Sequence, residues 1–110
     1  MKKEFRLKKP SDFKKTFKEG KRFISPHFVL YIRENAVSLP RIGVSIAKRH
    51  FKLATRRNRL RRIAKELFRT EITNRLDSHD LVVASRAGNF PVTINEAGKE
   101  LKELMLKVRK

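Results

Sequence analysis

The feature that most constrains the fold is a basic amphipathic segment at residues 55–69, with the sequence TRRNRLRRIAKELFR. Its apolar residues recur at i, i+3, i+4, i+7 and i+8, and they are Leu60, Ile63, Ala64, Leu67 and Phe68. This spacing predicts a helix with a single buried stripe. Thr55 is the expected N-cap. A chain that contains this helix must supply a second layer for the stripe to pack on.

The other side of the same predicted helix is densely cationic. At about 100° per residue, Asn58, Arg62, Lys65 and Arg69 lie opposite the stripe, Arg59 and Arg61 lie on its flanks, and the first turn holds Arg56 and Arg57. Cations in a first turn oppose the helix dipole, and like charges at i and i+4 repel. A polyphosphate partner offsets both costs through counterion release, and arginine suits bidentate phosphate contacts. The pattern therefore predicts a polyanion-binding face rather than a solvated one.

The net charge of +18 is unevenly distributed along the 110 residues. Residues 1–22 carry ten Lys and Arg against three acidic residues, residues 41–69 carry eleven against one, and the remainder carries eight against seven. The length predicts one domain, residues 1–110. We expect the two basic segments to converge on one polyanion-binding side of that domain.

Cysteine is absent, which excludes disulfides and thiolate metal sites and fits a reducing cytoplasm. No apolar run approaches the ~20 residues that span a bilayer. The basic N-terminus lacks the apolar region of a secretory signal. We therefore expect a cytoplasmic protein without a membrane partner.

Side chains that would carry catalysis are sparse. His27, His50 and His79 are scattered, are not at metal-ligand spacing, and are expected at the surface or near element ends. The acidic residues form no close pair on a predicted pocket wall, and the glycines match no phosphate-binding loop. The residues alone predict a binding module with no catalytic residue and no metal site.

The coarse pattern predicts an α+β fold with one small sheet packed by helices, in the order helix, strand, strand, helix, strand, helix. A first helix over 11–19 should be capped by Ser11 and closed by Gly20. The expected later elements are a strand over 23–34 interrupted near Pro26, a strand over 41–47, the basic helix, a strand over 80–86, and a last helix opened by a Thr93–Glu96 capping box.

Alternation in the two early strands predicts a sheet with unlike faces. One face is aliphatic, carries residues 28, 30, 32, 42, 44 and 46, and should receive the stripe of the basic helix. The other carries Val29, Tyr31 and Arg33 beside small residues, which leaves room for a ligand strand or for Phe13 and Phe17. The two phenylalanines have two open interpretations: core packing, or a groove in which they stack on RNA bases.

The signature Arg57-Asn58-Arg59, continuing as Leu60-Arg61-Arg62, resembles the RNR helix of the protein subunit of bacterial ribonuclease P. Other segments match that family in order: Phe5-Arg6-Leu7, Asp12-Phe13, Phe17, Gly20-Lys21-Arg22, Leu30-Tyr31, Arg41-Ile42-Gly43-Val44, Lys48-Arg49, Asp80-Leu81-Val82-Val83 and Arg86. The resemblance covers residues 5 to about 106. Residues 50–54 depart from the Gly-Asn of many members, and the resemblance implies no role for them.

The resemblance implies an accessory subunit of an endoribonuclease that removes the 5′ leader of precursor tRNA, with catalysis in an RNA subunit that uses magnesium. The protein itself would bind no cofactor. The signature helix would lie against the catalytic RNA through Arg56, Arg57, Asn58, Arg59, Arg61, Arg62, Lys65 and Arg69. A cleft between the first helix and the sheet would guide the single-stranded leader, and its lining would be Phe13, Phe17 and Tyr31, with Lys14 and Arg33.

The expected partners are therefore ribonuclease P RNA and precursor tRNA, with neither DNA nor a membrane. The strand–helix–strand unit from 41 to 86 would be right-handed by default, but the resemblance implies a left-handed crossover. Two alternatives stay open: a basic RNA-binding protein without a processing role, such as a ribosome-associated module, and a nuclease in its own right.

Overall fold

A computed structural model describes residues 5–87 and 92–108. Its elements in chain order are α1 (Pro10–Glu19), β1 (Lys21–Ile24), β2 (Phe28–Glu34), β3 (Arg41–Ser45), α2 (Ala54–Leu67), a π-helical turn (Phe68–Ile72), β4 (His79–Ser85) and α3 (Ile94–Leu106). The predicted α+β order is confirmed, with one correction. The strand expected over 23–34 is two strands, because the chain reverses around Pro26 and β1 pairs antiparallel with β2. The loop after residue 87 lies mostly outside the described residues.

The sheet is mixed and has the strand order β1-β2-β4-β3. β2 pairs antiparallel with β4, and β3 pairs parallel with β4. A parallel pair cannot be joined by a tight turn, so α2 crosses over between β3 and β4. The left-handed sense of that crossover stays a prediction from the resemblance.

The aliphatic face of the sheet carries the hydrophobic core, as predicted. Leu60, Ala64 and Phe68 of the basic segment are fully buried there, together with the stripe of α3. The sheet contributes Phe28, Leu30, Ile32, Ile42, Leu81 and Val83. Each large apolar side chain buried this way contributes about 1.5–3 kcal/mol to folding. The cationic side of α2 is therefore left facing away from the sheet.

The opposite face of the sheet is shallow and receives α1. Tyr31, Val82 and Gly43 lie in one cross-strand row on that face. The Phe13 ring covers Gly43 so closely that a Cβ there would come within 2.4 Å of the ring's Cζ. α1 and α2 thus pack on opposite faces. The expectation that both basic segments converge on one side does not hold for these two helices, because each packs on a different face of the sheet.

The helix starts differ from the sequence prediction in two places. α2 begins after Leu53 with no side-chain cap, so Thr55 is an exposed residue of the first turn rather than the N-cap. α1 begins after Lys9, and Pro10 rather than Ser11 opens it. Proline suits the first helical position because the missing N–H has no intrahelical partner there. The capping box of α3 is confirmed: the Glu96 N–H donates to Thr93 Oγ1 at 3.1 Å.

His27 lies directly before β2, near the end of an element as predicted, but it is buried rather than at the surface. It is 5% exposed and lies between β1 and β2. Its backbone N–H donates to Glu100 Oε2 at 2.7 Å, and its Nδ1 lies 2.9 Å from Glu100 Oε1. The Ser25 hydroxyl donates to the same carboxylate. These contacts fasten the β1–β2 hairpin to α3 on the core side.

Asp80 is a fully buried carboxylate that is held by three donors. Arg41 donates to it from Nε and Nη2, each at 2.8 Å, and Asn35 donates from Nδ2 at 2.8 Å. The hydrogen bond to Asp80 raises the pKa of Arg41 above its ordinary value. This bidentate pair joins β3 to β4, since Arg41 and Asp80 are cross-strand partners.

We predict that Arg41→Ala lowers the free energy of unfolding by about 3–5 kcal/mol, because it leaves a buried carboxylate without its cation. Urea denaturation measures the loss. The matched control is the double variant Arg41→Ala with Asp80→Ala, which removes the orphaned charge and should recover part of the stability. A loss below about 1 kcal/mol in the single variant would contradict a buried ion pair here.

Candidate nucleic-acid interface

The polar side of α2 and of the π-helical turn that follows it forms one surface, which we call the α2 basic surface. Its members are the residues predicted to bind the catalytic RNA: Arg56, Arg57, Asn58, Arg59, Arg61, Arg62, Lys65 and Arg69. Asn58, Arg59, Arg62 and Arg69 are exposed, and the other four are half-buried. The structure therefore brings the whole predicted set together on one helix, as the 3.6-residue period requires.

Carboxylates neutralise little of the α2 basic surface. Among the described residues, Arg69 alone of this set forms a salt bridge, with Glu66 one turn earlier. Hydrogen bonds from Arg69 lower the pKa of Glu66 and raise that of Arg69, but both side chains are exposed. Arg61 donates to the neutral amide oxygen of Asn58 at 2.9 Å. The remaining cations face solvent or backbone carbonyls, so the surface presents a strong positive field to a polyanion.

The first two arginines of the surface donate hydrogen bonds to backbone carbonyl groups outside α2. Arg57 Nη1 donates to the carbonyl oxygens of Phe51 and Lys52 at 2.9 and 2.8 Å. Arg56 Nη2 donates to the Val92 carbonyl at 2.6 Å. Each guanidinium keeps further N–H groups, so binding of RNA by these two stays a prediction.

Residues 50–54, to which the sequence assigned no role, position the start of α2. Phe51 is 7% exposed and stacks on Phe28 with the ring centroids 5.9 Å apart. His50 Nδ1 lies 2.8 Å from the Ser85 hydroxyl, and burial lowers the pKa of His50. In the sequence, the only indication of this contact is Phe51 itself, a single phenylalanine in a basic connection. Hydrophobic periodicity does not detect a single residue.

The second candidate surface lies on the other face of the sheet, and we call it the aromatic cleft. Phe17 and Tyr31 meet edge to face with their centroids 4.9 Å apart. Phe17 keeps 39% of its surface exposed, whereas Phe13 is half-buried over Gly43. Phe13 therefore contributes to packing, and Phe17 and Tyr31 present aromatic surface to a ligand.

One apolar residue that the sequence did not predict, Ile24, extends the aromatic cleft beside Val29. Ile24 is 52% exposed and is the cross-strand partner of Val29, in the row beside Tyr31. Because β1 was not recognised as a separate strand, its register with β2 could not be predicted. The interruption near Pro26 was the feature of the sequence that could have indicated two strands.

The two predicted cations of the aromatic cleft differ in setting. Lys14 is exposed on α1. Arg33 is half-buried on the same sheet face as Tyr31, and its Nη1 donates to the Glu34 carbonyl at 3.0 Å. The Arg33 Nε is buried and has no hydrogen-bond partner among the described residues. The predicted set is thus on one face, with its cations at the margins.

The donor set does not favour a metal site in the protein. Within residues 5–87 and 92–108, no group of three His, Asp or Glu side chains is close enough to hold a metal ion. The best-buried acidic group, Asp80, is bound to Arg41, and Asp12 lies 3.6 Å from the same guanidinium. In the same described ranges, no helix is long and apolar enough to cross a membrane.

Comparisons with known proteins agree on one family. The family model described as Ribonuclease P matches residues 1–109. The ribonuclease P protein component of Clostridioides difficile is 37% identical over 100 residues, which are 90% of this chain and 87% of that protein. The ribonuclease P protein of Staphylococcus aureus superposes with a TM-score of 0.80, 26% identity and 92% of each chain covered. That of Thermotoga maritima gives a TM-score of 0.73 at 29% identity, with 96% and 98% of the chains covered.

We predict that Arg57→Ala lowers the free energy of unfolding by about 1.5–3 kcal/mol, because two carbonyl groups lose a charged donor. Arg62→Ala is the matched control on the same helix. Its guanidinium is exposed, so its stability should change by about 0.5 kcal/mol or less. Urea denaturation of both variants without RNA makes the comparison, and equal losses would contradict the tethering role of Arg57.

Proposed function

The chain belongs to the ribonuclease P protein family, and from that membership we propose that its α2 basic surface and its aromatic cleft bind two different RNAs. It is the accessory protein subunit of an RNA-based endoribonuclease and acts in tRNA processing with ribonuclease P RNA. The observation that carries the proposal is the placement of α1 and α2 on opposite faces of one sheet. A single RNA strand cannot lie along both helices at once without wrapping around the sheet.

The α2 basic surface is proposed to bind the catalytic RNA. Its cations are largely free of carboxylates, and α2 is rigidly seated through its buried stripe. A rigid helix that presents guanidinium groups at helical spacing can contact several phosphates without losing backbone entropy. Each phosphate neutralised releases counterions, which makes the affinity strongly dependent on salt.

The aromatic cleft is proposed to bind the single-stranded 5′ leader of precursor tRNA. Exposed edges of Phe17 and Tyr31 offer stacking surface, Ile24 and Val29 extend it, and Lys14 supplies positive charge at the margin. Stacking of a base on an aromatic side chain is worth about 1–3 kcal/mol and tolerates any base. This mode of binding holds a strand whose sequence varies among substrates.

We assign no catalytic residue to the protein. The described acidic side chains do not form a metal site, so the magnesium expected for this activity is proposed to reside with the RNA subunit. The protein's contribution is to add affinity for the leader and to screen repulsion between two polyanions. A cytoplasmic location is part of the same proposal, since the RNA partners are expected there.

The alternative of a basic RNA-binding protein without a processing role, such as a ribosome-associated module, would use the α2 basic surface in the same way. The similar proteins of Clostridioides difficile and Staphylococcus aureus are ribonuclease P proteins, which favours the processing role. The aromatic cleft also favours the processing role, because a protein that only binds one structured RNA does not need a second surface for single-stranded RNA.

We predict that Arg62→Ala weakens binding to ribonuclease P RNA and flattens the plot of log K against log salt by about one phosphate contact. The control is Lys102→Ala, which removes one exposed cation from α3 and leaves the α2 basic surface intact. Filter binding over a salt series gives both slopes. An unchanged slope for Arg62→Ala would exclude this residue from the RNA contact.

We predict that Tyr31→Ala weakens holoenzyme binding of leader-bearing precursor tRNA about 5- to 150-fold, from the stacking energy of one base. Binding of mature tRNA should change little, and Tyr31→Phe, which keeps the ring, should resemble the unmodified protein. Equilibrium binding of the two tRNAs measures the difference. If Tyr31→Ala weakens both tRNAs equally, the leader does not occupy the aromatic cleft.

A further inference from the structure

A separate pocket of about 250 Å³ lies at the outer edge of β3, the edge that does not pair with β4, beside the start of α1. The segment before α1 runs along this edge: Arg6 bridges to Ile42 in the parallel sense, and the Leu7 N–H donates to the Ile42 carbonyl at 2.9 Å. Leu7 is 6% exposed and anchors the segment. Arg6 and Lys8 flank Leu7, so alternation along an extended chain turns both away from the core and into the pocket lining.

The charge of the pocket favours an anion. Arg6, Lys8 and Lys9 line it and have no salt bridge within residues 5–87 and 92–108. Arg41 completes the set, so four cations stand against Asp12 and the buried Asp80, a local net charge of +2. Cations in this number beside one another repel, and a bound phosphate relieves that repulsion.

Arg41 gives the pocket a preorganised donor. Asp80 fixes its guanidinium through Nε and Nη2, each at 2.8 Å. Nη1 lies 3.6 Å from Asp12 Oδ2, which is longer than a hydrogen bond, so the Nη1 N–H groups remain available to a ligand. A donor whose orientation is already fixed loses little entropy on binding.

The other wall of the pocket is apolar and belongs to the β2–β3 connection. Val37 and Leu39 form it, and Val37 is 39% exposed. Phosphate alone would not need this wall, whereas a nucleotide places a ribose or base beside its phosphate. The volume is below the roughly 300–1,000 Å³ of drug-sized ligand sites, which limits the occupant to about one nucleotide unit.

We propose that this pocket binds one nucleotide of a single-stranded RNA segment, with the phosphate on Arg6, Lys8, Lys9 and Arg41 and the sugar or base against the apolar wall. The site lies at the start of α1, whereas Phe17 lies in the second half of α1 and contacts Tyr31 of β2. It is therefore a contact additional to the aromatic cleft and the α2 basic surface. The inference rests on the proposed RNA-binding function but uses none of the residues assigned to either surface.

The decisive experiment uses the absence of cysteine from the chain. Val37→Cys introduces a single thiol on the apolar wall, to which an aryl-azide photocrosslinker is attached. Leu106→Cys is the matched control, because Leu106 is an exposed apolar residue of α3 with 45% of its surface accessible. Each labelled protein is assembled with ribonuclease P RNA, with and without leader-bearing precursor tRNA, and irradiated.

We expect the label at position 37 to crosslink to RNA at least fivefold more than the label at position 106. Crosslinks to the precursor that depend on its leader would identify the nucleotide as part of the leader. Crosslinks to the RNA subunit without precursor would identify that RNA as its source. Equal or absent crosslinking at the two positions would overturn the proposal.

A salt series tests the phosphate contacts independently. Lys8→Ala with Lys9→Ala should reduce the slope of log K against log salt by about 0.7 for each single-strand phosphate that the variant no longer neutralises, for whichever RNA the crosslink identifies. Lys99→Ala with Lys102→Ala removes the same charge from α3 and should leave that slope unchanged. Equal slopes for the two pairs would overturn the phosphate assignment, while an intact effect of Arg62→Ala would show that the proposed function still stands.

Discussion

The structure depends on one sheet whose two faces carry side chains of different size. Period-two alternation sends Leu30 to one side and Tyr31 to the other, and the same division continues across β4 and β3. The aliphatic side accepts two long helices, whereas the shallow side, where Gly43 leaves room for the Phe13 ring, accepts a short one. Because the faces are unlike, α1 and α2 cannot exchange places, and each basic segment is presented in its own direction.

Seating α2 on the aliphatic face carries an electrostatic cost. Its cations crowd a helix that begins without a side-chain cap and with no acidic residue in the first turn. The fold lowers this cost by using backbone carbonyls as acceptors for Arg56 and Arg57, while burial of Leu60, Ala64 and Phe68 supplies the stabilisation. The remaining charge faces away from the core, so one side of the helix stabilises the fold and the other is the side proposed to bind RNA.

Periodic features were predictable from the sequence, and contacts between distant segments were not. The stripe of α2, the capping box of α3 and the unlike faces of the sheet follow from spacing within single segments, so their prediction succeeded. The N-cap of α2 was predicted wrongly because the helix starts at Ala54, after an extended Leu53 that makes no side-chain cap hydrogen bond, so no polar residue marks this start. The burial of His27 could not be predicted because its partner Glu100 is 73 residues away, and no local pattern reveals such a pair. The pocket at the outer edge of β3 depends on pairing of the N-terminal segment with β3, which is also a contact between residues far apart in the sequence.

The fastening of the β1–β2 hairpin to α3 has a consequence for how a flexible strand would be received. Ile24 sits on that hairpin, and Glu100 ties its turn down through His27 and Ser25. These hydrogen bonds hold the rim of the aromatic cleft to the core, which limits how far the rim can adjust to one base rather than another. A groove of fixed width would align any single strand bound in it without selecting among bases, and the choice of substrate would then belong to other parts of the assembly.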